Sequence, residues 1–224
     1  MPTLDRDGDV YVLNLGDDEN RFNPEWVGAV SALLDEVAAT PEPRALVTTA
    51  TGKIWSNGLD LEWMGANAAE VPAFVPRVHA LFGQVLALPV PTVAAIQGHC
   101  FAAGAMLAVA HDFRVMRADR GFFCLPEVDI QIPFTPPMAA LIQARLSKAT
   151  AHEAMTTGRR YGGTDAAAAG IADDAVGEDE VLSRAIERAA ALAGKHGATL
   201  GAIKAGMYSE TLALLGDQTP IAFG

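Results

Sequence analysis

Two turns that could hold a negative oxygen, and a carboxylate set among apolar residues that could equally be a capping or solvated one, are the features of this sequence that bear on chemistry. Glu127 stands in Phe122–Val128 (FFCLPEV). Apolar neighbours such as Phe123, Leu125 and Val128 would raise its pKa toward the range useful for acid–base work at neutral pH. The segments Ile54–Leu61 (IWSNGLDL) and Ala94–Ala105 (AAIQGHCFAAGA) each run from a strand through a tight small-residue turn into a helix start. A helix N-terminus leaves its first N–H groups unsatisfied and carries partial positive charge, so it suits a developing oxyanion. Two such N–H groups converging on one carbonyl oxygen would stabilise an enolate. No GxSxG elbow, metal-spaced His/Glu pair or dinucleotide fingerprint is present.

The elements that must position these residues follow from periodicity. Leu4–Arg6 and Val10–Leu15 are expected to pair as a hairpin through Asp7-Gly8. Asn23-Pro24 caps and starts a helix in which Trp26, Val30, Leu33, Leu34 and Val37 recur at helical spacing. Ala45–Ala50 and Thr92–Gln97 read as buried strands, with a short helix from Leu61 and a long one over Val71–Leu88 between them. Phe113–Ala118 and Gly121–Leu125 read as the next strands. Strands alternating with helices predict an α/β layout with parallel strands. From Pro136 the pattern is helical, over Met138–Leu146, Lys148–Thr157, Ala166–Ala169, Glu180–His196 and a weaker stretch after Thr199. The expected division is a core over 1–170 and a helical region over 171–224 that packs on the core or on a neighbouring subunit.

The 224 residues are half apolar, enough for a sizeable core. A net charge of −11 with no basic run disfavours nucleic acid as a partner. The two cysteines, Cys100 and Cys124, form no metal or CxxC spacing, so a reduced chain is expected. The start MPTLDRDGDV shows no secretory pattern, the apolar run Cys100–Ala110 is too short to span a bilayer, and the ending is no peroxisomal tripeptide. The expected location is cytoplasmic.

WSNGLDL (Trp55–Leu61) resembles the first signature of the crotonase superfamily, and AAIQGHCFAAGAMLAVAHDFRVM (Ala94–Met116) resembles the second. The resemblance runs from about Val10 to Gly170. It implies a ClpP/crotonase-like ββα spiral, assembly as a homotrimer or dimer of trimers, and an acyl-CoA thioester as substrate, with no separate cofactor. It makes the Leu59 and Ala103 N–H groups the oxyanion hole, where many relatives carry Gly-Gly-Gly in place of Ala102-Ala103-Gly104. Arg21 and Lys53 fall where CoA phosphates and adenine lie in the family. Ser56, Asn57 and Gly58 fall at the adenine-binding edge, and His99 falls beside the pantetheine channel. Asp60 and Asp112 match structural positions, and Trp63 and Met64 either line the acyl pocket or pack the core.

Hydratases of the family use two carboxylates. Here the first position is Met106, which transfers no proton, and the second is Glu127. The single-glutamate pattern resembles Δ3,Δ2-enoyl-CoA isomerases. Dienoyl isomerases carry a further Asp near the position of Thr135. Asp129, two residues past Glu127, would share its side if the segment were a strand. Two other readings remain open: another crotonase reaction, such as thioester hydrolysis or hydration, and an acyl-CoA-binding protein without catalysis.

Overall fold

The computed structural model describes residues 1–221; residues 222–224, the end of the tail read above for a peroxisomal signal, lie outside the described residues. In chain order the elements begin with β1 (Thr3–Asp7), β2 (Val10–Asn14), β3 (Arg21–Phe22), α1 (Pro24–Ala39) and β4 (Ala45–Thr49). Next come β5 (Ile54–Ser56), β6 (Gly58–Leu59), α2 (Leu61–Ala66), α3 (Val71–Ala87), β7 (Thr92–Ile96) and β8 (His99–Phe101). They continue through α4 (Ala103–Ala110), β9 (Phe113–Arg117), β10 (Phe123–Cys124), α5 (Pro136–Arg145), α6 (Lys148–Thr157) and α7 (Gly163–Ala168). The last are β11 (Asp174–Val176), α8 (Val181–Ala190), α9 (Gly197–Met207) and α10 (Ser209–Leu215).

A six-stranded sheet in the order β1-β2-β4-β7-β9-β11 forms the frame. The β1/β2 hairpin is antiparallel and the remaining pairs are parallel, as the α/β reading requires. Side chains alternate across it with period two. Val10, Ala45, Val47, Val93, Ala95 and Val115 meet Val181, Ala185 and Ala189 of α8 on one face. Leu46, Ala94, Ile96 and Met116 join the larger cluster with α1, α3 and α4 on the other. A second parallel sheet, β10-β8-β5, and the pair β3-β6 stand off the frame and carry both turns singled out above. No described helix is long and apolar enough to cross a membrane.

Local signals explain most boundaries. The Asn23 side chain accepts from the Trp26 N–H at 3.0 Å, and Pro24 opens α1. Thr135 and Ser147 cap α5 and α6 in the same way. Two expected bounds are corrected. The strand expected over Gly121–Leu125 shrinks to Phe123–Cys124, because Gly121 turns at φ +86 against the Gly98 backbone. The helix expected over Glu180–His196 ends at Ala190, and His196 instead caps α9 by accepting from the Thr199 N–H at 3.3 Å. The segment carrying Asp129 is not a strand but a series of turns, closed by the Asp129 and Ile130 N–H groups on the Pro126 carbonyl, so the same-side condition for Asp129 and Glu127 is not met. Finally, β11 had no sequence signal. It is a three-residue edge strand with only half-buried side chains, and it carries the sheet past residue 170. Of the helices beyond it, α10 packs on α3 and α5, with Leu215 fully buried.

Candidate active site

The two turns interlock. Gly58 has φ +78, and a Cβ on it would stand 2.7 Å from the Ala103 backbone nitrogen and 3.0 Å from the Phe101 carbonyl. A Cβ on Gly104 would meet the Ser56 Cβ and carbonyl oxygen at 2.7 Å. Only hydrogen fits at either point, so glycine is required by contact at both and by φ as well at Gly58. Ala102, the N-cap of α4, holds φ 50 and ψ −125, a conformation an L-residue adopts only when its surroundings impose it. Those surroundings are β8 beneath it, the Ala102 N–H donating to the Cys124 carbonyl, and the first turn of α4 closed by the Met106 N–H on the Ala102 carbonyl. Every residue of α4 is buried, which its run of small side chains permits. As the first residue of that helix, Ala103 has an N–H with no intrahelical acceptor.

The first turn is braced from behind by a residue that sequence reasoning passed over. The Asn20 side chain donates to the carbonyls of Trp55 (3.0 Å) and Ile54 (3.3 Å), while the Asn20 backbone carbonyl accepts from Ser56 Oγ at 2.8 Å. Ser56 Oγ in turn accepts the Gly58 N–H at 3.0 Å. The available signal was an Asn at φ 48, a backbone state Asn tolerates, but that angle is invisible in sequence.

A cavity of about 350 Å³ opens where the turns meet, lined by Asn57, Leu59, Ala103, Met106 and Glu127, with Arg21 at its edge. Glu127 is 6% exposed, and burial pushes its carboxyl up to about 7. Its Oε2 is buried without a hydrogen-bond partner. Burial outweighs the one opposing contact, a hydrogen bond from its own backbone, and the group is poised to exchange a proton near neutrality. Met106 is buried against the same space. A larger cavity of about 530 Å³ lies under α9, far from this chemistry; its one carboxylate, Asp112, is held by Lys204 at 2.7 Å.

Of the sequence-predicted residues, Glu127, Leu59, Ala103, Met106, Asn57 and Arg21 come together around the cavity. Arg21 is paired with Glu19. Gly58 acts behind the lining, through its contact with Ala103. Ser56 is corrected: it is fully buried and its hydroxyl is taken up by Asn20 and Gly58, so it presents no binding edge. His99 stands outside the lining. It packs between Phe101 and Phe122, with ring centroids at 5.2 and 5.6 Å. Burial first, then the charges of Arg120 and Arg160, hold its pKa below the usual value. Lys53 is exposed on the turn before β5 and is also outside the lining. Trp63 and Met64 pack on the core, Trp63 edge-on to Phe74. Asp60 caps α2, and Asp112 accepts from the Thr92 N–H, both structural as expected. Thr135 is bonded to His79 at 2.9 Å.

Residues 6–218 match the family model for enoyl-CoA hydratase/isomerase. Over 238 aligned residues the chain is 34% identical to an Arabidopsis thaliana protein described as peroxisomal enoyl-CoA delta isomerase 2, covering 99% of this chain and 98% of that one. It is 36% identical to enoyl-CoA delta isomerase 3 of the same plant, covering 94% and 93%. Among solved structures, a Mycobacterium tuberculosis protein described in one structure as an enoyl-CoA isomerase and in another as a probable enoyl-CoA hydratase superposes, in the first, with a TM-score of 0.87 at 26% identity, covering 96% of this chain and 93% of that one. The chain therefore belongs to the enoyl-CoA hydratase/isomerase family, with the crotonase fold.

Proposed function

We propose that the protein is an enoyl-CoA isomerase that moves a 3-enoyl-CoA double bond to the 2-position, with Glu127 as its single acid–base group. The observation that carries this reading is that Glu127 is the one carboxylate among the described residues lining the cavity, while Met106 occupies the place of a second. The Glu127 carboxylate takes a proton from C2, and the electron pair delocalises into the thioester as a dienolate. The Leu59 and Ala103 N–H groups donate to that oxygen, and a fixed pair of such donors supports a rate gain on the order of 10²–10³ or more. The protonated Glu127 then returns its proton to C4, giving the conjugated 2-enoyl-CoA and restoring the carboxylate. Atoms and electrons balance within the substrate, so no further reactant is needed. Arg21 and the exposed Lys53 supply cations for the CoA phosphates, against a chain that is acidic overall. A pKa near 7 suits both halves of the cycle, since the group must be ionised to begin and protonated midway.

The test separates three outcomes by product. Purified protein is given 3-hexenoyl-CoA and crotonyl-CoA, and conjugated thioester, 3-hydroxyacyl-CoA and free CoA are each quantified. Conjugated thioester as the dominant product supports the isomerase. Dominant hydration of crotonyl-CoA, or release of free CoA, assigns the site to a hydratase or a thioester hydrolase instead.

A further inference from the structure

Among the described residues, two buried side-chain atoms of the residues lining the catalytic cavity lack a hydrogen-bond partner. One is Glu127 Oε2, which the mechanism uses; the other is Asn57 Oδ1, which it does not. Asn57 stands between β5 and β6, where its backbone N–H is taken by the Glu19 carbonyl at 3.0 Å. The other polar side chains of this turn are taken up by the protein. Ser56 Oγ bonds the Asn20 carbonyl and the Gly58 N–H, and Asp60 accepts from the Trp63 N–H. Asn57 Oδ1 is thus an acceptor that the fold encloses and does not itself use. A buried amide oxygen left unpaired is costly, so its place on the wall of a substrate cavity calls for a donor carried by the substrate.

We infer that the Asn57 side-chain oxygen accepts the N–H of the pantetheine amide nearest the thioester, and so fixes the register of the reacting carbons against Glu127. The inference rests on the proposed function in taking an acyl-CoA whose thioester oxygen is held by the Leu59 and Ala103 N–H groups. An unsubstituted enoyl chain and its thioester carry no N–H or O–H. The first donor along the molecule is that amide N–H, two methylenes beyond the sulfur. Leu59 follows Asn57 by two residues, a span of at most roughly 7 Å, comparable with the reach from a thioester oxygen to that N–H. The family resemblance places Asn57 at the adenine-binding edge, but its side chain shares a cavity with Glu127 and therefore meets the reacting end of the ligand. Held at its oxygen and at this amide, the thioester has two fixed points, which set how C2 and C4 approach the carboxylate.

The experiment uses saturated thioesters, so that binding is read apart from chemistry. Dissociation constants are measured by calorimetry for hexanoyl-CoA and for an analogue in which the amide N–H nearest the sulfur is replaced by an ester oxygen. The proteins are the wild type, Asn57→Ala and Asn57→Leu. Both variants keep the backbone bond to Glu19, and the second keeps the bulk of the side chain while removing the acceptor. The wild type is expected to bind hexanoyl-CoA about tenfold more tightly than the ester analogue, and both variants to narrow that ratio to about twofold or less. Equal binding of the two ligands by the wild type, or a ratio unchanged in the folded variants, overturns the inference. Failure of the isomerase reading shows separately, as absent turnover of 3-hexenoyl-CoA with the wild-type ratio intact.

Discussion

A side chain on Gly58 would stand 2.7 Å from the Ala103 nitrogen, so the two turns whose N–H groups are proposed to share one oxygen are in direct contact at that point. Gly58→Ala must therefore displace Ala103 or twist its own backbone out of φ +78. The expected result is a fall in kcat/KM of about a hundredfold or more together with a loss of stability of about 1–3 kcal/mol, read by turnover and by urea unfolding. A variant with wild-type kcat/KM would dissociate this contact from catalysis.

Asn20→Ala removes the two bonds to the Ile54 and Trp55 carbonyls and leaves an alanine at φ 48. The expected cost is about 2–4 kcal/mol of stability, with kcat falling more than KM rises, since the brace shapes a turn and does not touch substrate. A change confined to KM would contradict that role.

The pH dependence follows from three buried groups. Burial raises Glu127 to about 7, and lowers His79 to about 4 and His111 to about 3. As a base Glu127 must be ionised, so kcat/KM is expected to rise with pH through about 7. Its effect on stability has the opposite direction. The native state holds a proton between about 4.5 and 7 that the unfolded chain has released, so stability from this group is lost as pH rises through that window. The histidines oppose it: the unfolded chain binds their protons below 6.5 and the native state does not, so their contribution is lost as pH falls. Between pH 5 and 6 these three groups together leave a net uptake of about one proton on unfolding, or two in Glu127→Gln. Glu127→Gln is accordingly expected to be more stable than the wild type at pH 8, by up to about 3 kcal/mol, and to lose stability more steeply on acidification. Parallel unfolding curves for the two proteins across this range would show that Glu127 is not strained by burial.

Met106→Glu places a second carboxylate in the same cavity. Like-charge repulsion is expected to push Glu127 above 7, moving the acid limb of the isomerisation profile to higher pH and lowering its rate at pH 7. If water can be held between the two carboxylates, hydration of crotonyl-CoA appears in the variant and not in the wild type. An unmoved pH profile would mean that position 106 does not face Glu127.

Much of this site was legible because contact leaves a trace in residue type. Gly58 and Gly104 are small because the chain touches itself there, and Asn23 announces the start of α1 by its capping chemistry. Strands buried on both faces, such as Ala45–Thr49 and Thr92–Ile96, carry only apolar residues and threonine and were equally plain. What stayed hidden depends on tertiary geometry. Asn20 braces the first turn through long-range backbone bonds, Ser56 turns its hydroxyl inward to meet it, and the segment after Glu127 coils into turns that no residue pattern had announced. The β11 strand exists because β9 offers it an edge.

The central claim is that one carboxylate carries the reaction, and the most direct measurement is the rate of conjugated thioester formation from 3-hexenoyl-CoA by the wild type and by Glu127→Gln at pH 8. The account predicts steady turnover by the wild type and a loss of about a thousandfold or more in the variant, with thioester binding retained. Turnover by Glu127→Gln within tenfold of the wild type would contradict it.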